Sequence, residues 1–234
     1  MTAPVKEHRS GPAPYYQDAY VSIYNTDAAE LIDTMSGSVL ITDPPYGVNL
    51  GVHGGANDQR QRELRRRAYD VYTDTPQNFR NIIVPILQRA IDVCVRGGVF
   101  CPGPSAWHLP PPSALGGVYL PAANGRSPWG FQNLIPILLY GQAPDLNLGA
   151  KNTMFRGSGR ADVELGHPCP KPQPWLNWLV GLVSKQSDLV LDPFCGSGTT
   201  LRAAKDQGRQ AVGIEISERY CEIAAKRLSQ EVLF

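Results

Sequence analysis

One stretch near the end of the chain constrains its fold more than any other. The apolar run at residues 188–191 predicts a buried strand, and the glycine-rich turn at residues 192–200 follows it. Residues 199–207 have the apolar spacing of a helix, which Gly208 ends, and residues 210–216 predict a second strand. A strand, a glycine turn, a helix and a strand in this order predict a parallel βαβ unit and therefore an α/β fold.

The chemistry of this turn indicates a nucleotide-like ligand. Gly196 and Gly198 have no side chains, so a ligand can approach the backbone, and free N–H groups at the start of a helix favour an anion. Glu215, near the end of the second strand, lies where an acidic residue meets ribose hydroxyls. Leu201 replaces the third glycine of a G-x-G-x-x-G fingerprint, so the two glycines are weak evidence for a dinucleotide.

A second stretch, Asp43-Pro44-Pro45-Tyr46, follows an apolar run at residues 38–42 that predicts another buried strand. The prolines fix φ and donate no N–H, so the Pro44 carbonyl is held beside the Asp43 carboxylate. Two acceptors can then hold one planar amino group, and Tyr46 offers a flat face for stacking. The alternative is a proline turn after a strand with Tyr46 as surface packing, and the tetrapeptide alone does not decide between them.

Composition favours one domain. The chain has 234 residues and is 42% hydrophobic, which is enough for a sizeable core. We expect residues 1–19 to form a flexible polar leader and residues 20–234 to form a single domain, with no membrane span. The five cysteines form no C-x-x-C pair and the four histidines have no metal-ligand spacing. We therefore expect free thiols in a reducing cytoplasm and no metal site.

The rest of the chain gives weaker signals. Apolar patterns predict strands at residues 20–24, 99–101 and 131–140, and helices at residues 28–35 and 79–95. Gly97 and Gly98 are expected to end the second helix, and Pro136 predicts a bulge or an edge strand. Asp27 and Asp43 are expected to end neighbouring strands. Residues 102–165 are too irregular for an ordinary connection, which predicts a target-recognition region.

A basic loop at residues 51–76 has two interpretations. It carries a run of arginines: Arg60, Arg62, Arg65, Arg66 and Arg67. Such a run is often a solvated or disordered loop. It can also be an arm that contacts phosphates and becomes ordered on nucleic acid. Its position directly after the Asp43–Tyr46 tetrapeptide favours the second interpretation. Because the net charge is only +1, affinity for nucleic acid must come from such local patches.

Three motifs together resemble a known family. The phrase Asp192-Pro193-Phe194-Cys195-Gly196-Ser197-Gly198-Thr199-Thr200 resembles the S-adenosylmethionine-binding loop of the DNA amino-methyltransferases, which methylate N6 of adenine or N4 of cytosine. Asp43-Pro44-Pro45-Tyr46 is similar to their catalytic motif, and His167-Pro168 with Lys171-Pro172 is similar to their H-P-x-x-K-P segment. The catalytic motif precedes the loop, as in the permuted β-type arrangement. The resemblance covers residues 20–50 and 165–228.

The resemblance implies a fold and a cofactor. The fold is the Rossmann-like fold of S-adenosylmethionine-dependent methyltransferases, with helices flanking a mixed, mostly parallel, seven-stranded sheet in circularly permuted order. The strand that ends at Glu215 should then neighbour the strand that ends near Asp27. The implied ligands of S-adenosylmethionine are Asp27, Lys171, Asp192, Phe194, Gly196, Ser197, Gly198, Thr199 and Glu215.

Individual roles follow from the same resemblance. Asp27 would bind the adenine amine of the cofactor, although it could be a plain helix N-cap. Lys171 would meet the methionine carboxylate, although it could be a surface lysine after a proline. Glu215 would bind the ribose. Cys195 is expected to be a small packing residue, because no basic partner for it is evident.

The resemblance also implies a reaction. Asp43 and the Pro44 carbonyl would hold the amine of a flipped base on which Tyr46 stacks, with Pro45 completing the catalytic set. An aspartate in the first position leans toward adenine in this family, which implies N6-methylation of adenine in DNA. N4 of cytosine, an RNA base or a catalytically silent nucleic-acid-binding subunit are the alternatives. DNA is the implied partner, a homodimer would supply more surface, and a cognate restriction enzyme is left open.

Overall fold

The computed structural model describes residues 12–48, 71–101, 103–121, 125–127, 130–144, 151–157 and 171–230. Eleven strands are found in this part of the chain. In chain order they are β1 (Tyr16–Gln17), β2 (Val21–Asn25), β3 (Val39–Thr42), β4 (Arg96–Phe100), β5 (Ala114–Tyr119), β6 (Gly125–Ser127), β7 (Gly130–Gln132), β8 (Leu134–Gly141), β9 (Met154–Arg156), β10 (Leu189–Asp192) and β11 (Gln210–Glu215).

Nine of these strands form one sheet in the order β1-β2-β11-β10-β3-β4-β8-β5-β9, and β6 pairs with β7 separately. The five strands from β2 to β4 in this order are mutually parallel, whereas β1 and β8 run antiparallel to their neighbours. The expected mixed, mostly parallel sheet is therefore confirmed. It has nine strands where seven were expected, because the short strands β1 and β9 extend its two edges.

Helices cover both faces of the sheet. The α-helices are α1 (Ala28–Leu31), α2 (Pro76–Asn78), α3 (Val84–Val93), α4 (Gln173–Val183), α5 (Thr199–Asp206) and α6 (Glu218–Leu228). A 3₁₀ turn at Ile32–Thr34 extends α1, a π turn at Phe79–Ile83 joins α2 to α3, and Gly103–His108 forms another 3₁₀ helix. No helix in the described ranges is both long enough and apolar enough to cross a membrane.

The core has two layers because the buried strands are apolar on both sides. In β3, Val39 and Ile41 pack with α4, α5 and α6, whereas Leu40 packs with α1, α3 and the π turn on the opposite face. All three side chains are buried. Near-continuous apolar strands of this kind are typical of parallel sheets that are covered on both faces. The four cysteines in the described ranges are free thiols, as expected.

The permuted connectivity is confirmed by strand pairing. β11 pairs in parallel with β2, and Glu215 lies opposite Asn25 although the two residues stand near opposite ends of the chain. Asp27 therefore follows the strand beside Glu215. The expectation that Asp27 and Asp43 end neighbouring strands is wrong, because β11 and β10 lie between β2 and β3.

The prediction that Gly97 and Gly98 end the second helix is wrong. Gly97 and Gly98 lie inside β4, and α3 already ends at Val93. A Cβ atom on Gly97 would lie 2.5 Å from the Leu40 carbonyl oxygen, and one on Gly98 would lie 2.9 Å from Leu179 Cδ1. These glycines are in a strand because a neighbouring strand and helix α4 approach the backbone closely, which a pattern of single residues does not reveal.

Pro136 does not mark an edge strand, since β8 lies between β4 and β5. The Pro136 carbonyl accepts from Cys101 N at 3.3 Å, just beyond the last residue of β4. On the other side, Gly117 N of β5 donates to the Thr153 carbonyl and not toward Pro136. The missing N–H of proline therefore falls where pairing with β4 ends, and the sheet tolerates it.

Two expected boundaries also change. Residues 102–165 were expected to be an irregular recognition region, but β5, β8 and β9 from this range belong to the main sheet. Residues 1–19 were expected to be a flexible leader, yet Tyr16 and Gln17 pair with β2. These strands thus belong to the main sheet, and the rest of the expected division into a leader, a basic loop and a recognition region stays a prediction.

Candidate active site

A cavity of about 280 Å³ opens at the carboxyl ends of β2, β11, β10 and β3. Parallel α/β sheets bind ligands at this edge. Glu215 and Asp27 lie at one end of the cavity lining and Asp43 lies on the β3 side. A smaller cavity of about 50 Å³ adjoins it and shares Asp43 and Lys171. The two sequence motifs therefore line one continuous space.

The turn after β10 is organised by Asp192. Its Oδ1 accepts from Thr42 Oγ1 at 2.7 Å and from Phe194 N at 3.1 Å. Asp192 is buried, and this burial raises the pKa of its carboxyl to about 6. Thr42 directly precedes Asp43, so this hydrogen bond joins the turn to the tetrapeptide. The carboxyl of Asp192 thus accepts hydrogen bonds from other residues of the protein. Its contact with the cofactor stays a prediction.

The two glycines of the turn have different roles. Gly196 has φ +51° and its N–H donates to Glu215 Oε2 at 2.9 Å. Gly198 has φ +76°, and a Cβ atom there would lie 2.9 Å from the Cβ of Ala224 on α6. Gly198 is therefore required by left-handed backbone and by helix packing, whereas the sequence suggested that it makes room for a ligand.

The neighbouring hydroxyl residues are Ser197 and Thr199. Ser197 is buried, and Thr199 Oγ1 accepts from Arg227 Nη1. Both residues still contribute to the lining of the smaller cavity, and Phe194 lines both cavities. Their roles as ligands of a cofactor remain predictions. Cys195 is a buried packing residue, as expected, and burial raises the pKa of its thiol well above the ordinary value.

Glu215 is held by two backbone donors. Ser217 N donates to Oε1 and Gly196 N donates to Oε2, both at 2.9 Å. Burial raises the pKa of this carboxyl to about 7. Each carboxylate oxygen has a second lone pair, so Glu215 can accept further hydrogen bonds from hydroxyls in the cavity. Ser217 also precedes α6, and its side chain makes no capping bond there.

Asp27 is an N-cap, which was one of its two interpretations. Its Oδ1 accepts from Ala29 N at 2.9 Å at the start of α1. Asp27 also lines the larger cavity, so the cap does not remove it from the site. Its contact with an adenine amine stays a prediction.

The apolar wall of the larger cavity escaped sequence reasoning. Ile82, Ile83 and Ile86 line it, and all three lie in the range that was predicted to be one helix. The π turn at Phe79–Ile83 adds a residue to one turn and rotates the face on which these isoleucines lie. Ile82 is consequently 42% exposed, whereas Ile83 is buried. No residue pattern within this stretch indicates the turn.

The tetrapeptide places a compact polar cluster at the end of β3. Tyr46 Oη donates to Asp43 Oδ1, and Lys171 Nζ donates to Asp43 Oδ2 at 2.6 Å. Lys171 was expected near the methionine end of a cofactor, and here it pairs with the predicted catalytic carboxylate. Pro44 is buried and Pro45 is half-buried, and both line the larger cavity.

Two further residues fix the turn after the tetrapeptide. Asp74 Oδ1 accepts from Gly47 N at 2.7 Å and its Oδ2 accepts from Val48 N at 3.2 Å. Ser105 Oγ donates to the Tyr46 carbonyl at 2.8 Å. Sequence reasoning missed both residues. Thr75-Pro76 after Asp74 is a helix-start signal that could have separated Asp74 from the basic loop, since Thr75 is the N-cap of α2.

Several predicted residues lie outside the described ranges. They are Arg60, Arg62, Arg65, Arg66, Arg67 and His167. Their predicted roles stay predictions.

Comparison with known proteins gives a partial sequence match. Residues 147–226 match a family model described as DNA methylase, of the N6/N4 type. The type II methyltransferase M.ScaI of Streptomyces caespitosus is 43% identical over 76 residues, which are 32% of this chain and 25% of that protein. M2.DpnII of Streptococcus pneumoniae, also a type II methyltransferase, is 45% identical over 65 residues, or 28% of this chain and 24% of that protein. The chain thus matches about a quarter of the length of either relative.

The likeness to solved structures extends over nearly the whole chain. The cytosine-N4-specific PvuII DNA methyltransferase aligns with a TM-score of 0.64 and 13% identity, covering 96% of this chain and 92% of that one. The M1.HpyAVI–SAM complex aligns with a TM-score of 0.58 and 19% identity, covering 90% of this chain and 100% of that one. At these identities the likeness shows the fold, and it confirms the expected Rossmann-like methyltransferase fold.

Proposed function

We propose that this chain is a DNA methylase that transfers a methyl group from S-adenosylmethionine to the N6 amine of adenine in DNA. One observation carries the proposal. A single cavity joins Glu215, which can bind ribose, to Asp43, which can hold an amine. The hydrogen bond between Thr42 and Asp192 fixes the Asp43 side of the cavity relative to the glycine turn.

The residues around the cavity fit S-adenosylmethionine. Glu215 has carboxylate lone pairs available to ribose hydroxyls, because each of its oxygens can accept more than one hydrogen bond. Ile82 and Phe194 give this part of the cavity an apolar lining suited to a flat adenine ring. Lys171 supplies a cation on the other side, where a carboxylate of the cofactor would find a partner. When bound, S-adenosylmethionine supplies a methyl group activated by its sulfonium charge.

The tetrapeptide is suited to hold the target base. The exocyclic amine of a base is a poor nucleophile because its lone pair is delocalised into the ring. Acceptance of its two N–H groups by Asp43 and by the Pro44 carbonyl draws the nitrogen toward tetrahedral geometry. Tyr46 is half-buried and lines the same cavity, so its ring can stack on an extruded base.

In the remaining steps the protein mainly has to place the reacting groups next to each other. The nitrogen forms a bond to the methyl carbon as the carbon–sulfur bond breaks, and the amine then loses a proton. Asp43 is the carboxylate that can accept this proton, and it need not be a strong base because the methylated amine is acidic. Proximity and fixed polar groups supply most of the acceleration. A base in a duplex cannot reach the cavity, so the target must be flipped.

Two observations bear on the choice of base, and they favour different bases. An aspartate in the first position of the tetrapeptide favours adenine. The PvuII enzyme, to which this chain has a similar fold, is cytosine-N4-specific, so N4-methylation of cytosine is the second candidate. A silent binding subunit is disfavoured, because Asp43 and the glycine turn are both present. A homodimer and a cognate restriction enzyme remain proposals about its partners.

Mass spectrometry of nucleosides tests this proposal. Genomic DNA from a host without adenine or cytosine methylation is incubated with the protein and S-adenosylmethionine, then digested to nucleosides. We expect N6-methyladenine to accumulate. N4-methylcytosine in its place would establish the second candidate, and the absence of both would overturn the assignment as a DNA methyltransferase.

A further inference from the structure

Both oxygens of the predicted catalytic carboxylate are already occupied. Lys171 Nζ lies 2.6 Å from Asp43 Oδ2, and Tyr46 Oη donates to Oδ1. Lys171 Nζ is also 3.5 Å from Tyr46 Oη. An amine of a target base that approaches Asp43 therefore has to displace one of these two donors.

The ion pair is well sheltered from solvent. The side chains of Lys171 and Asp43 are 16% and 25% exposed. The ammonium also lies 5.4 Å from the ring centroid of Tyr46 and 5.5 Å from that of Phe100, within the range of cation–π attraction. A sheltered pair with these additional contacts interacts more strongly than an exposed surface pair. Its displacement by a neutral amine is correspondingly unfavourable.

Lys171 also lies where a carboxylate other than that of Asp43 could become its partner. It lines the larger cavity with Glu215, and it lines the smaller cavity with Gly196 and Thr199 of the glycine turn. Its flexible stem allows the ammonium to move without backbone change. A carboxylate bound beside the glycine turn would compete with Asp43 for the same cation.

We propose that Lys171 is a positioning residue that couples the cofactor side of the cavity, beside Glu215 and the glycine turn, to the target side, beside Asp43. It binds Asp43 Oδ2 while the cofactor side is empty, and it moves to the carboxylate of the cofactor's methionine group when that side is filled. Asp43 Oδ2 then becomes free to accept an N–H of the target amine. The inference rests on the proposed function, because it requires a cofactor with a carboxylate and a substrate with an amine.

This arrangement makes the binding of the two ligands cooperative. A cofactor product that carries the carboxylate should tighten the binding of target DNA, and by linkage the DNA should tighten the binding of the product by the same factor. We expect a factor of about five or more, which is typical of such coupling. A nucleoside that lacks the carboxylate should leave DNA affinity unchanged.

The test compares two product analogues on wild-type protein and variants. Equilibrium titrations measure the Kd of a methylatable duplex with no addition, with S-adenosylhomocysteine and with methylthioadenosine, which lacks the carboxylate. Lys171→Gln should lose the coupling, and Lys171→Arg should retain part of it because the cation is kept. Lys205→Gln is the matched control: its Nζ lies 2.5 Å from Asp18 Oδ2, with side-chain exposures of 12% and 22%, away from the cavity.

A second readout does not depend on DNA. Lys171→Gln should weaken the binding of S-adenosylhomocysteine and leave that of methylthioadenosine unchanged, whereas Lys205→Gln should change neither. The proposal is overturned if Lys171→Gln keeps the wild-type coupling, or if it binds both analogues as the wild type does. Failure of the proposed function would look different: no duplex would be methylated, while the contrast between the two analogues would still test the contact of Lys171 with a carboxylate.

Discussion

Thr42 donates to the buried carboxyl of Asp192 across 150 residues of sequence. The donor is the last residue of β3 and the acceptor is the last residue of β10, two strands that pair side by side. One hydrogen bond thus fixes the tetrapeptide that is proposed to hold the target relative to the turn that is proposed to hold the methyl donor. Distances of this kind decide methyl transfer, because the reacting atoms must be placed within a few tenths of an ångström.

Replacement of Thr42 by valine should destabilise the fold. The substitution removes the donor and leaves the buried Asp192 oxygen with one partner fewer, at a cost of about 1–3 kcal/mol. Chemical denaturation measures the loss in the free energy of unfolding. Thr42→Ser keeps the hydroxyl and should remain within about 1 kcal/mol of wild type. Equal stability of the valine and serine variants would show that the bond contributes nothing.

Replacement of Asp43 by asparagine should greatly reduce catalysis without weakening cofactor binding. The amide keeps the shape of the side chain but presents one acceptor where two stood, so it holds the target amine poorly. We expect methyl transfer to fall by at least about a hundredfold, as when one polar group is removed from a preorganised site. Tritium transfer to DNA and titration with S-adenosylhomocysteine measure the two effects. Asp33→Asn, which alters an exposed pair with Arg89, serves as the control; undiminished transfer by Asp43→Asn would contradict the proposed role.

Binding of S-adenosylhomocysteine should strengthen as the pH rises from 6 to 8. Burial raises the pKa of Glu215 to about 7, and the ionised form is the better acceptor for ribose hydroxyls. The ionised fraction of such a group increases about tenfold over this interval, and affinity should follow it. Glu215→Gln should bind weakly with a flat pH profile. Glu218→Gln, on the exposed start of α6, should keep the wild-type profile, and a pH-independent wild type would contradict binding through a Glu215 carboxylate that titrates in this range.

The same pKa shift makes a statement about stability. Because the folded-state pKa is above the unfolded value, the contribution of Glu215 to stability is full at acidic pH and is lost as the pH rises through about 7. Glu215→Gln should therefore gain stability relative to wild type as the pH is raised from 5 to 8. Thermal unfolding without ligand across this range measures the difference. A constant difference would contradict the raised pKa.

Replacement of Gly198 by alanine should destabilise more than replacement of Gly37. Both glycines have positive φ, at +76° and +82°. A Cβ atom on Gly198 would also lie 2.9 Å from Ala224 Cβ, whereas one on Gly37 meets nothing within 4 Å. Gly37→Ala should cost about 1 kcal/mol from backbone strain, and Gly198→Ala should cost more. Denaturant titration of both variants checks the order, and equal costs would remove packing against α6 as a reason for Gly198.

Local sequence patterns were sufficient for much of the fold. The βαβ unit around the glycine turn and the strand before Asp43 both follow from apolar spacing bounded by glycine or proline. The permuted order of the motifs also led to the correct pairing of β11 with β2. The strands and helices are readable because each is set by a residue and its near neighbours in the chain, whereas the pairing of β11 with β2 followed from the family resemblance.

Contacts between distant segments were decided only by the tertiary structure. Gly97 and Gly98 were read as a helix stop because their reason, the approach of Leu40 and Leu179, comes from elsewhere in the chain. Asp74 and Ser105 could not be assigned to the turn after Tyr46 for the same reason.

The residues of the site show most clearly what the sequence determines and what the tertiary structure decides. The sequence by itself determined that Asp43, Lys171 and Glu215 belong to motifs with a polar chemistry suited to an amine, a carboxylate and a ribose. Only the tertiary structure decided that Lys171 contacts Asp43 and that Glu215 receives two backbone donors. The physical reason is that motif residues carry their chemical groups with them, whereas a partner is fixed by how strands and helices pack, and packing depends on the whole chain at once.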